Sequence, residues 1–142
     1  MKTVKQVLDE KGRDVWTIGP DTSVYDAVKL MADKEVGALV VLKDEKPVGM
    51  ISERDYARKV ILRGKSSHEA LVSEIMTAPV LCAQLDESVE QCMAVMTEKR
   101  VRHLPVIEDN KLIGIVSIGD LVKAIIAEQQ FIIQQLEHYI AG

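Results

Sequence analysis

Two tetrads, Ser52-Glu53-Arg54-Asp55 and Ser117-Ile118-Gly119-Asp120, set a hydroxyl and a carboxylate three residues apart, each directly after a β-rich run. At a helix start the hydroxyl meets unpaired N–H groups and the positive end of the peptide dipole, a setting that favours an anion such as a phosphate oxygen. A carboxylate one turn on can accept both hydroxyls of a ribose. Phosphate and ribose together suit a nucleotide. The same tetrad is also an ordinary helix cap, and one isolated copy would favour capping alone. Duplication at matched positions, each after a Gly-containing strand, shifts the balance toward binding.

The elements that must position these tetrads are themselves duplicated. An offset of 65 aligns residues 21–56 with 86–121 without a gap, and 13 of the 36 aligned positions are identical, among them Ser23/Ser88, Gly49/Gly114, Ser52/Ser117 and Asp55/Asp120. Each copy is too small to bury its own apolar faces well, so each half is expected to complete the other's core. Helices begin at the caps Ser23 and Ser88, the second with Gln91 in capping-box position. Apolar residues at 24, 27, 28 and 31, and at 89, 92, 93 and 96, follow a one-faced helical stripe that places Cys92 in the core opposite Ala27. Hairpins follow, 38–42 with 48–51 and 103–107 with 112–116. A second helix then starts at each tetrad. The first stops near Gly64; the second runs on through Phe131, Ile132, Leu136 and Ile140. Short strands at Val15–Ile18 and Val80–Ala83 complete two β-α-β-β-α units. The expected class is α+β: tandem units over residues 1–67 and 68–142, paired about a pseudo-twofold axis, with an extended C-terminal helix.

Composition narrows the function classes. The chain has 142 residues, 47% of them apolar, enough for a hydrophobic core. With 18 Lys and Arg against 22 Asp and Glu the net charge is −4, and aromatics make up 4%, so neither a basic face nor stacking platforms for nucleic acid are supplied. No apolar run approaches the ~18 residues of a membrane span, and the first residues lack a signal-peptide stretch, so the cytoplasm is the expected location. Cys82 and Cys92 have neither CxxC spacing nor a nearby His, which reads as two reduced, packed thiols rather than a metal or redox pair.

The tandem β-α-β-β-α units, the Val101-Arg102-His103-Leu104-Pro105-Val106 run and the strand-Ser-x-x-Asp elements resemble a pair of cystathionine-β-synthase (CBS) domains over about residues 4 to 130. In the first copy Val40 replaces the proline of that run. The resemblance implies a stand-alone regulatory module that binds adenine nucleotides (AMP, ADP or ATP, less often NAD or S-adenosylmethionine) in two clefts. It implies a first site of Ser52, Arg54 and Asp55 with Leu81, Arg102, His103 and Pro105, and a second of Ser117, Gly119 and Asp120 with Trp16, Gly37 and Ala38. So grouped, the first site gathers the cations and is expected to prefer ATP or ADP, and the second to prefer AMP.

Two other readings exist. A hydrolytic triad of Ser117, His103 and Asp120 or Asp55 has only residue types behind it, without a Gly-x-Ser-x-Gly elbow, so no enzyme is expected. An interaction module with vestigial clefts would use the apolar stripe of the last helix at Ile125, Ile132, Ile133, Leu136 and Ile140. That stripe also predicts a homodimer. The regulated protein is not encoded in these residues.

Overall fold

The computed structural model describes residues 2–141. They form two compact units: a first-copy unit of Asp14–Leu81 with Asp109–Leu112, and a second-copy unit of residues 2–13, Cys82–Glu108 and residues 113–141. This division departs from the expected cut between residues 67 and 68. The reason lies in two short helices that the repeat does not announce. Helix α1 (Val4–Lys11) precedes the first copy in sequence yet packs with the second. Thr3 and Gln6 close its capping box, and Val4, Val7 and Leu8 form its buried stripe. Backbone bonds hold it there, from Val4 N–H to the Glu87 carbonyl (2.9 Å) and from Lys5 N–H to that of Leu85 (3.0 Å). Helix α4 (Val72–Ile75) belongs by sequence to the second half but buries Val72 and Ile75 in the core of the first-copy unit. An amphipathic turn states that it needs an apolar partner, and the nearest one in space was not the nearest in sequence.

In the first-copy unit, β1 (Thr17–Ile18) runs parallel to β2 (Ala38–Lys43), which pairs antiparallel with β3 (Lys46–Ser52). Central β2 is buried from Ala38 through Val41, the continuous apolar run of a strand covered on both faces. The tight turn at Asp44 and Glu45 has positive φ at both residues, and Asp109 and Asn110 repeat it in the second hairpin, the twist that two-residue hairpins require. Helix α2 (Val24–Lys34) is capped by Ser23 and buries Val24, Ala27 and Met31. Helix α3 (Glu53–Tyr56) continues as a π-helical turn over Ala57–Ile61 before the chain leaves through Gly64 at φ 67°.

The second-copy unit repeats the plan with α5 (Val89–Lys99), which buries Val89, Cys92 and Met96, and the hairpin β4 (His103–Glu108) and β5 (Lys111–Ser117). Cys92 lies in the core as the stripe requires. The expected strand at Val80–Ala83 reduces to one bridge, Ala83 to Val106. Proline explains the loss. Val40 gives its N–H to the Trp16 carbonyl (3.1 Å) in the first copy, whereas Pro105 at the matching position has no N–H to give. Helix α6 (Ile118–Ala141) is 24 residues long and buries Leu121 and Ala124. Among the described residues no helix is long and apolar enough to cross a membrane.

Gly49 and Gly114, identical across the repeat, mark where the exchanged segments press on each sheet. A Cβ on Gly49 would stand 2.7 Å from Met76 Sδ and 3.0 Å from the Thr77 carbonyl, and one on Gly114 would stand 3.0 Å from both Leu8 methyl carbons. Only glycine admits backbone and side chain this close.

Candidate functional site

The tetrads sit where each hairpin opens. In an antiparallel pair the first residue of one strand faces the last residue of the other, and Ala38 is accordingly paired with Ser52. Glu53 N–H then reaches the Gly37 carbonyl (3.0 Å), and in the second copy Ile118 N–H reaches that of Arg102 (2.9 Å). Chain geometry therefore sets Gly37 and Ala38 beside Ser52, Arg54 and Asp55, and Arg102 and His103 beside Ser117, Gly119 and Asp120. These local neighbours of each tetrad come from its own copy. Within its own copy, Arg54 stands at the corner that has Gly37, and Arg102 at the corner that has Gly119.

In the first-copy corner Ser52 Oγ accepts from Asp55 N–H (3.2 Å) and donates to Asp55 Oδ2 (3.1 Å), which also accepts from Ser52 N–H (3.0 Å). This is a complete capping box at the start of α3. Asp55 Oδ1 faces Lys59 Nζ at 3.2 Å and accepts from Thr77 Oγ1 at 3.4 Å. Trp16 stands at the same end of the sheet, just ahead of β1, with Lys34 Nζ 4.4 Å from its ring centroid. It is 39% exposed. Leu81 closes the first-copy unit and is likewise exposed.

In the second-copy corner Asp120 Oδ2 accepts from Ser117 N–H (2.8 Å) and from Lys11 Nζ (2.6 Å), while Ser117 Oγ accepts from Asp120 N–H (3.1 Å). Burial would raise the Asp120 carboxyl, but the hydrogen bonds from Lys11 and Ser117 outweigh it and hold the group below the usual carboxylate value, so it is ionised at neutral pH. His103 is half-buried. Burial pushes its pKa below the ordinary value, the Asp120 charge resists, and Lys11 and Arg102 push further down. Pro105 is buried within β4, its carbonyl accepting from Ala83 N–H at 2.8 Å. Both thiols are pushed up, Cys82 by burial and Cys92, through burial and the Glu87 carboxylate, to about 11, which keeps them protonated.

The depressed His103 value has a sign that can be checked. An unfolded histidine takes its proton near pH 6.5, whereas folded His103 takes it at lower pH, so within that window the unfolded chain holds more protons and stability falls as pH falls. Urea midpoints measured from pH 7.5 to 5 should show wild type losing stability relative to His103→Gln below about pH 6.5, with a constant difference above it. A difference that grows in wild type's favour on acidification would show that His103 is stabilised in its charged form.

Sequence reasoning missed three groups at the carboxylates. Lys59 stands four residues after Asp55, a helix spacing readable in advance, though Lys59 reads in sequence as one more solvated charge. Thr77 and Lys11 carry no such signal, since Lys11 and Asp120 are 109 residues apart.

The family model for the CBS domain matches residues 4–62 and 72–127. The chain is 42% identical over 150 residues to the mitochondrial CBS domain-containing protein CBSX3 of Arabidopsis thaliana, spanning 99% of this chain and 72% of that protein. A solved protein with CBS domains from Burkholderia ambifaria superposes with a TM-score of 0.86 at 51% identity, covering 90% of this chain and 96% of its own. The CBS domain pair of protein MJ0100, solved with 5′-methylthioadenosine and S-adenosyl-L-methionine, superposes with a TM-score of 0.79 at 25% identity, covering 90% and 98%.

Proposed function

Because this chain belongs to the CBS domain family, with two copies of the domain, we propose that it is a regulatory protein that binds an adenine nucleotide at the tetrad corner of each copy. The observation that supports this most is the duplicated corner itself: a helix start with a capping serine and an ionisable carboxylate at the same place on both hairpins, each with an arginine at hand, Arg54 in one copy and Arg102 in the other. The adenosine ligands of the MJ0100 pair agree in chemical class. AMP, ADP and ATP are the proposed ligands, with NAD next, and the output is a change of conformation or association passed to a separate protein. The role is binding, not catalysis, and the proposed location is the cytoplasm, which fractionation of cells tests against an organelle. Calorimetry with AMP, ATP and NAD, together with mass spectrometry of any co-purified small molecule, tests the ligand. The absence of any adenosine-dependent heat would overturn the reading.

Self-association is part of the proposal, and α6 supports it. Phe131, Ile132, Ile133, Leu136, Tyr139 and Ile140 are each at least 49% exposed, more large apolar surface than an isolated helix end leaves to water without a use. A twofold-related copy is the simplest cover. Light scattering at micromolar concentration should give a dimer for the full chain and a monomer for one ending at Glu128. A monomeric full chain would sink the idea.

A further inference from the structure

The two motif carboxylates share a feature that the repeat does not produce. Asp120 Oδ2 lies 2.6 Å from Lys11 Nζ, and that ammonium also donates to the Ile115 carbonyl at 2.8 Å. Asp55 Oδ1 lies 3.2 Å from Lys59 Nζ, which also donates to the Ile75 carbonyl at 2.9 Å. Each aspartate thus has one lysine, and each lysine is tied down by one backbone carbonyl. The lysines are not equivalent by descent within the chain. Leu8 and Met76 take matching places on the repeated Gly114 and Gly49, which sets Lys11 opposite Pro79, and Lys59 aligns with Ala124, which is buried. The same ammonium–carboxylate–carbonyl arrangement is reached from an N-terminal helix in one unit and from the π-helical turn in the other. Two independent routes to one arrangement argue for a use beyond a chance ion pair.

Capping does not require it. Asp55 and Asp120 close their caps with serine alone, and a surface ion pair adds little stability. The chemistry of a hydroxyl does suggest a use. A hydroxyl donates one hydrogen bond and accepts others, whereas a carboxylate only accepts and an ammonium only donates. An aspartate with a lysine against it can satisfy a hydroxyl in both senses, and the pair's cancelled charge discourages a metal cation that a bare carboxylate would attract. Each ammonium has three N–H groups, and two have partners among the described residues. One remains for a ligand oxygen. The lysine side chains are 30% and 33% exposed, so a ligand can reach them.

We propose that Lys11 and Lys59 are ligand-binding residues, each forming with its aspartate a donor–acceptor pair that takes the ribose hydroxyls of the nucleotide. This rests on the nucleotide reading above and assigns the sugar end of each corner. Calorimetry with AMP and with 2′,3′-dideoxy-AMP tests it, on Lys11→Met in an Asp55→Ala background to isolate the second-copy corner, and on Lys59→Met in an Asp120→Ala background to isolate the first. The expected result is AMP binding weakened by about tenfold, with the preference for AMP over the dideoxy analogue falling toward one. Lys11→Arg, which keeps a donor, should recover part of that preference. The ratio compares two ligands on one protein, so partial unfolding of a variant does not mimic its loss. Unchanged or tighter AMP binding in the methionine variants, or an unchanged ratio, would overturn the lysine assignment while leaving the nucleotide reading intact. A wild-type protein that binds neither ligand would overturn both.

Discussion

Asp120→Ala is expected to weaken adenine-nucleotide binding at the second-copy corner by roughly tenfold to a hundredfold, and Asp55→Ala to do the same at the first. Each change removes hydrogen bonds to a charged acceptor, worth about 1.5–3 kcal/mol. The two carboxylates stand in different units, so each variant should keep one normal binding event and lose the other. Trp16 makes the losses separable. It is the only tryptophan and stands at the end of the first-copy sheet where Ala38 pairs with Ser52. Its fluorescence should respond to nucleotide in wild type and in Asp120→Ala, and the response should vanish in Asp55→Ala. The opposite pattern would support the cross-copy grouping that the resemblance implied. Both variants also lose half of a capping box, so circular dichroism must show folded protein before affinities are compared; Asp→Asn variants, which keep the side-chain shape, provide a second reading.

Leu8→Ala should destabilise the second-copy unit by about 2–5 kcal/mol. Leu8 is fully buried in the cluster that includes Val89, Cys92, Met96 and Leu121, and both of its methyl carbons press on Gly114. Truncation leaves a cavity above a glycine, which has no side chain to fill it. The same helix carries Lys11 to Asp120, so loosening it should also weaken nucleotide binding at that corner and spare the first. Urea unfolding followed by circular dichroism gives the stability change, and Trp16 fluorescence reports the first-copy unit separately. A loss under about 1 kcal/mol would mean that α1 is only lightly docked. Equal unfolding of both units at one midpoint would instead show that α1 holds the whole molecule.

Near-neighbour chemistry by itself determined much of this protein. Ser23, Ser88, Ser52 and Ser117 start helices because a hydroxyl three residues from a free N–H caps it whatever lies elsewhere. The stripes 24, 27, 31 and 89, 92, 96 bury as their spacing demands, and the polar turns reverse the chain into hairpins whose strand ends meet. The repeat made both copies legible at once, and with them the Ser-x-x-Asp corners. The partners of those corners lay beyond reach wherever the link was not local. Lys59 and Asp55 are four residues apart and the helix joins them, whereas Lys11 and Asp120 meet only because α1 crosses to the second copy. Val4, Val7 and Leu8 state that a face must be covered, and hydrophobic burial has no direction that names the cover. Closing the chain in three dimensions chose it: the notch at Gly114 accepts Leu8, and that choice, invisible in residue spacing, delivered the ammonium to the carboxylate.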